Sequence, residues 1–132
     1  MDFIPKLKEF ISKKEALNLS SLSLAYVGDS VHMLYIRSKT VCEMNAKISK
    51  ENSEVIKMVN AKAQSEAMAI YSLLNEDEVE IYKRARNAHV HTKAKSASLA
   101  DYMQATAFEA VVGYLYLTGQ EDRLKELLEQ TL

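Results

Sequence analysis

Apolar residues recur every three or four positions along most of this chain, a spacing that gathers them on one side of α-helices. Over 49–74, Val55, Ile56, Val59, Ala63, Ala67, Ile70 and Leu74 keep that period. An earlier long helix starts near Leu22 and runs to about Lys39, where CEMNAK breaks it. Leu22, Ala25, Asp29, His32 or Met33, and Ile36 lie along one side of it, and Tyr26, Val27 and Leu34 widen the apolar surface. Phe3, Ile4, Leu7, Phe10 and Ile11 predict a short helix over 3–14, with Pro5 suited only to its first turn. Asn18, Ser20 or Ser21 can cap the helix that follows. Asn75 precedes EDEVE, an N-cap with first-turn acids that complement the helix dipole, and this helix ends near Arg86. The stretch NAHVHTKAKSA has no period and reads as a loop. Ser98 caps a helix over 99–118 that Gly119 ends, and EDRLKELLEQTL is a final amphipathic helix. The reading is an all-α single domain of five to seven helices.

Composition agrees. Three glycines and one proline in 132 residues are too few for a turn-rich sandwich or barrel. At 48% hydrophobic and 27% charged, the chain can bury an ordinary core. The single cysteine, Cys42, excludes an internal disulfide and suits a reducing cytoplasm. No apolar run reaches the roughly 18 residues of a membrane span. The N-terminal MDFIPKLKEF is not a secretory signal.

Two apolar helices each carry one acid beside a glycine. In LAYVGDSVHMLY, Gly28 and Asp29 are adjacent; in ATAFEAVVGYLYL, Glu109 is the only charge and Gly113 lies one turn on. A glycine lets another backbone or a ligand come close. A buried, unpaired carboxylate is costly, so such acids are paired, hydrogen-bonded or bound to a cation. Three readings stay open. The acids converge on a hard cation such as Mg²⁺, which takes oxygen ligands; they pair separately with arginines such as Arg37 or Arg84; or Asp29 lies solvated at the rim of the apolar face.

Net charge is −1, so a nucleic-acid role must rest on a local patch. The segment 82–95 supplies one: Lys83, Arg84, Arg86, Lys93 and Lys95 with no acid, interleaved with Asn87, His89, His91 and Thr92. Cations among neutral hydrogen-bonding groups suit a phosphate backbone, and a solvated surface loop is the plain alternative. His89 and His91 lack the further ligands a zinc site needs. No Ser-His-Asp or Cys-His pattern offers a side-chain nucleophile.

Taken together in this order, LAYVGDSVHMLYIR, KRARNAHVHTKAKSASLADY and ATAFEAVVGYLYLTGQEDRL resemble the Mini-ribonuclease III family, relatives of ribonuclease III without its double-stranded-RNA-binding domain. The resemblance spans about Leu22 to Leu127. It implies an all-α catalytic domain occupying 1–132 with no appended RNA-binding domain. The implied activity is Mg²⁺-dependent cleavage of double-stranded RNA by a cytoplasmic homodimer, in maturation of the large-subunit (23S) ribosomal RNA precursor, with room for ribosomal-protein assistance. Asp29 matches the family's metal-binding catalytic aspartate and Glu109 its glutamate. Lys83, Arg84, Arg86, Asn87, Lys93 and Lys95 match its RNA-contacting loop. Ala25 and Thr106 stand where full-length ribonuclease III carries two further acids, which the shorter subfamily also lacks. On this reading Gly28 permits close packing, with the dimer partner as one candidate. Two rivals remain: a catalytically weak or inactive RNA-binding relative, and a helical protein-interaction module.

Overall fold

The computed structural model describes residues 7–44, 71–88 and 99–130. Among them the secondary structure is helical: α1 (Lys13–Leu17), α2 (Ser21–Met44), α3 (Glu76–Arg86), α4 (Leu99–Leu117) and α5 (Glu121–Glu129). Residues 71–73 are also helical, whereas the rest of the long helix expected over 49–74 lies outside the described residues.

Local chemistry sets several boundaries. Ser12 and Asn75 each close a capping box, with Glu15 and Glu78 respectively. Ser20, one of the three expected caps, accepts from the Ser23 amide at 3.0 Å and opens α2. Gly119 takes φ +72° just past α4, the left-handed stop expected of it. Two boundaries differ from expectation. Residues 7–12 are not helical, because the Ile11 amide donates to the Leu117 carbonyl at 3.0 Å and Phe10 lays its ring against Gly119. At its far end α2 continues through the break expected at Cys42, a stretch with no glycine or proline to stop it.

The core forms around α4. Ala107, Ala110, Val111, Val112, Tyr114 and Leu115 are buried there, against Leu24, Val31, Tyr35 and Ile36 of α2, Ile81, Tyr82 and Ala85 of α3, and Leu124, Leu127 and Leu128 of α5. Each fully buried aliphatic side chain contributes roughly 1.5–3 kcal/mol. Among the described helices the most extensive packing is between α2 and α4, the two that carry the acids. The α3–α5 side is fastened by Glu78, fully buried, which receives Arg123 Nε and one terminal nitrogen, both at 2.8 Å, while capping Asn75.

Candidate active site

The two helical glycines face each other. A Cβ on Gly28 would stand 2.6 Å from the Glu109 carbonyl carbon and 2.8 Å from the Gly113 nitrogen; one on Gly113 would stand 2.9 Å from the Leu24 carbonyl carbon. No side chain fits between backbones this close. The glycines therefore let α2 and α4 cross in direct contact within one chain, and the close approach considered for the dimer partner is met here internally.

That crossing brings Asp29 and Glu109 together. Their carboxyl groups are within hydrogen-bonding reach, and Glu109 is pushed up to about 8, first by burial and then by the charge and hydrogen bond of Asp29. At neutral pH the Glu109 carboxyl keeps its proton and donates it to the Asp29 carboxylate. Of the three readings, separate pairing with arginine is excluded for Arg84, whose guanidinium is committed elsewhere. The two acids meet each other, and Asp29 also lies at the rim: it is exposed, not core-facing, and Glu109 is half-buried. The pair is open to solvent on the Asp29 side, where a solute can reach it.

The basic segment begins at the end of α3. Lys83 is exposed, Arg86 half-buried, and Asn87 exposed as the helix C-cap. Arg84 differs from its neighbours. It donates to the Leu17 and Leu19 carbonyls at 2.6 and 3.1 Å and to Ser21 Oγ at 3.2 Å. Its fork is thus turned into the protein, which the sequence did not signal. Lys93 and Lys95, with His89, His91 and Thr92, lie outside the described residues.

The ribonuclease III domain model matches residues 22–120. Proteins named Mini-ribonuclease 3 are similar over nearly the whole chain: that of a Thermoanaerobacter species is 45% identical over 92% of this chain and 86% of its own length. That of Clostridium tetani is 38% identical over 93% and 83%. The chain belongs to the Mini-ribonuclease 3 family. A crystal structure of a Fusobacterium nucleatum protein superposes with a TM-score of 0.78 at 32% identity, covering 87% of this chain and 94% of that one. Like Mini-ribonuclease 3, this chain is an endoribonuclease.

In this Mini-ribonuclease 3 chain, Ala25 and Thr106, one helical turn before Asp29 and Glu109 respectively, are both buried. Among the described residues no third carboxylate, histidine or cysteine joins Asp29 and Glu109 in a ligand cluster. His32, one turn beyond Asp29, carries no signal in the sequence beyond its place on the apolar side. Its ring meets Phe108 edge-on at 5.2 Å, and its Nε2 is buried without a hydrogen-bond partner. Burial pushes it down to about 4 against the pull of Asp29, so the imidazole is neutral. An unpaired buried polar atom costs about 1–3 kcal/mol. His32→Phe is therefore expected to raise stability by about 1 kcal/mol, read as a higher urea midpoint at unchanged slope. A lower midpoint would mean that the imidazole makes a stabilising contact.

Proposed function

We propose that this endoribonuclease cuts double-stranded RNA with Mg²⁺, acts as a cytoplasmic homodimer, and has large-subunit (23S) ribosomal RNA precursor as its substrate. The observation that carries the reading is the meeting of Asp29 and Glu109 at a solvent-open rim. Two carboxyl groups this close cannot both ionise cheaply on their own. A hard divalent cation relieves that repulsion, so the donor set fits Mg²⁺, and Asp29 and Glu109 would hold it. Once bound, Mg²⁺ supplies neutralisation of charge on the phosphate and acidification of water.

The chain's own groups account for the rest. Glu109 has to give up its carboxyl proton before it can act as a ligand, so cation affinity rises with pH up to about 8. With no side-chain nucleophile in the pair, the attacking group is water, aimed by hydrogen bonds to the carboxylate oxygens. Lys83 and Arg86 meet phosphates, so an A-form duplex is held by its backbone rather than by base sequence. Among the described residues no helix is long and apolar enough to cross a membrane.

Long double-stranded RNA is expected to be cut with Mg²⁺ and left intact in EDTA. Undiminished cutting in EDTA, or equal cutting of single strands, would reject the reading. Lys83→Ala combined with Arg86→Ala is expected to weaken RNA binding for all sequences alike. The log–log salt slope should flatten by about one unit for each phosphate that is no longer neutralised. An unchanged slope would make these two side chains merely solvated.

The dimer reading rests on α2. Val31 and Tyr35 of this helix are spent on the chain's own core. Leu22, Tyr26, Leu34 and Val41 instead stay exposed along one side, Tyr26 by 80%. Sedimentation at micromolar concentration is expected to show twice the 14.9 kDa chain mass. A species of 14.9 kDa alone would remove the twofold arrangement that lets two sites address two strands.

A further inference from the structure

Arg84 lies in a run of cations, yet its contacts are those of a brace. Leu17 is the last residue of α1, Leu19 belongs to the connector, and Ser21 is the first residue of α2. One planar guanidinium binds all three, through Nη1, Nη2 and Nε in turn. Two of the acceptors are carbonyls at and just past a helix end, which need donors from outside the helix. Ser20 does not serve there: its hydroxyl accepts from the Ser23 amide and donates to Ser23 Oγ at 2.8 Å. Among the described residues no carboxylate pairs with Arg84, so its charge is balanced by carbonyl dipoles.

The two ends joined by this brace are the functional ones. From Ser21, α2 runs eight residues to Asp29, about 12 Å at the helical rise. From Arg84, α3 runs two residues to Arg86 and the start of the basic segment. We infer that Arg84 is a positioning residue rather than a phosphate contact, holding the start of α2, and with it Asp29, in fixed relation to the RNA-binding end of α3. This rests on the activity proposed above. Hydrolysis needs the phosphate gripped by one element and the acids carried by the other in a single geometry. A misplacement of about 1 Å can cost up to about 10²-fold in rate. The guanidinium suits the task because its donors form a rigid fork, whereas a lysine offers one compact charge on a flexible stem.

Arg84→Lys separates the two roles, since it keeps the charge and loses the fork. It is compared with Arg84→Ala, Ser21→Ala and wild type in the full chain, by amide exchange, RNA affinity against salt in EDTA, and steady-state cleavage with Mg²⁺. Positioning is expected to make lysine no better than alanine. In both variants the Leu24 and Ala25 amides exchange faster, the salt slope stays at the wild-type value, and kcat falls about tenfold with KM little changed. Ser21→Ala, which removes one of three acceptors, is expected to show a smaller loss of kcat that disappears in the Arg84→Lys background. A slope flattened by about one unit in Arg84→Ala and restored by lysine would make Arg84 a phosphate contact and overturn the inference. Faster exchange with unchanged kcat would overturn it too, leaving a tether without functional reach. If Arg84→Ala does not fold, by helical circular dichroism, Arg84→Lys and Ser21→Ala decide the matter alone. If wild type cuts no double-stranded RNA, the proposed activity fails, while exchange and salt slope still test the brace.

Discussion

Asp29→Asn and Glu109→Gln are each expected to reduce cleavage by about 10³-fold or more, because charge stabilisation by a held cation is worth several kcal/mol and each 1.36 kcal/mol is a factor of ten. The amides are close in shape to the acids, so the α2–α4 crossing survives. Each removes one of the two carboxyl groups that would hold the cation, and among the described residues nothing stands by to replace it. The stability of the apo domain moves the other way. Glu109 ionises near 8 when folded, against 4.5 for the free side chain. Between those values the folded state holds a proton that the unfolded state has lost, so stability falls as pH rises across the window and levels off above it. Glutamine at 109 carries no such penalty. Thermal unfolding in EDTA should show Glu109→Gln gaining on wild type from about pH 4.5 to about 8, with little difference below. His32 acts in the opposite sense: its folded value near 4 lies below the ordinary 6.5, so acidification through that range weakens the fold in wild type and variant alike. Glu9→Gln, an exposed change outside the helices, is the matched control and should cut normally. Wild-type cleavage by Asp29→Asn across a Mg²⁺ titration would move the chemistry to other residues, and a Glu109→Gln gain that did not vary with pH would mean that the two carboxyls do not share a proton.

What was legible in the sequence followed how local each signal is. Asn75 with Glu78 makes its capping box within four residues, and Gly119 stops its helix by its own φ, so both could be read directly. The segment 3–14 has a helical period, but from residue 7 to residue 12 a hydrogen bond to Leu117 and the ring contact at Gly119 override it, and both partners lie over a hundred residues away. The acids show the same limit. Period placed Asp29 and Glu109 on apolar helices and suggested that they converge. It could not show that Asp29 reaches the solvent edge, which depends on where the neighbouring helix stops covering α2. Arg84 counted equally with Lys83 and Arg86 in a charge tally. Only the fold separates a side chain turned toward the Leu17 and Leu19 carbonyls from one that stays exposed, as Lys83 does.

Gly28→Ala and Gly113→Ala are expected to unfold the domain or leave it destabilised by roughly 3 kcal/mol or more, a large share of the 5–15 kcal/mol typical of a domain. The sign is informative, because at an ordinary helix position alanine is better than glycine by about 1 kcal/mol. Here the added methyl group would meet backbone rather than a side chain able to turn aside. From Gly28 it would point at the Glu109 carbonyl, and from Gly113 at the Leu24 carbonyl. Backbone can yield only if the two helices separate, and α2 against α4 is the most extensive packing among the described helices. Separation there would also draw Asp29 away from Glu109, since Gly28 is joined to one acid and lies against the backbone of the other. A variant that remains folded should therefore lose cleavage and lose the alkaline weakening that the acid pair confers, whereas Glu109→Gln loses cleavage with the crossing intact. The glycines fix the separation at which two carboxyl groups on different helices can share a proton, or a cation. Chemical denaturation of the two alanine variants beside wild type would decide it: a midpoint equal to or above wild type for either would show that the helices are not in backbone contact, and the account of how this fold builds its acid pair would fall.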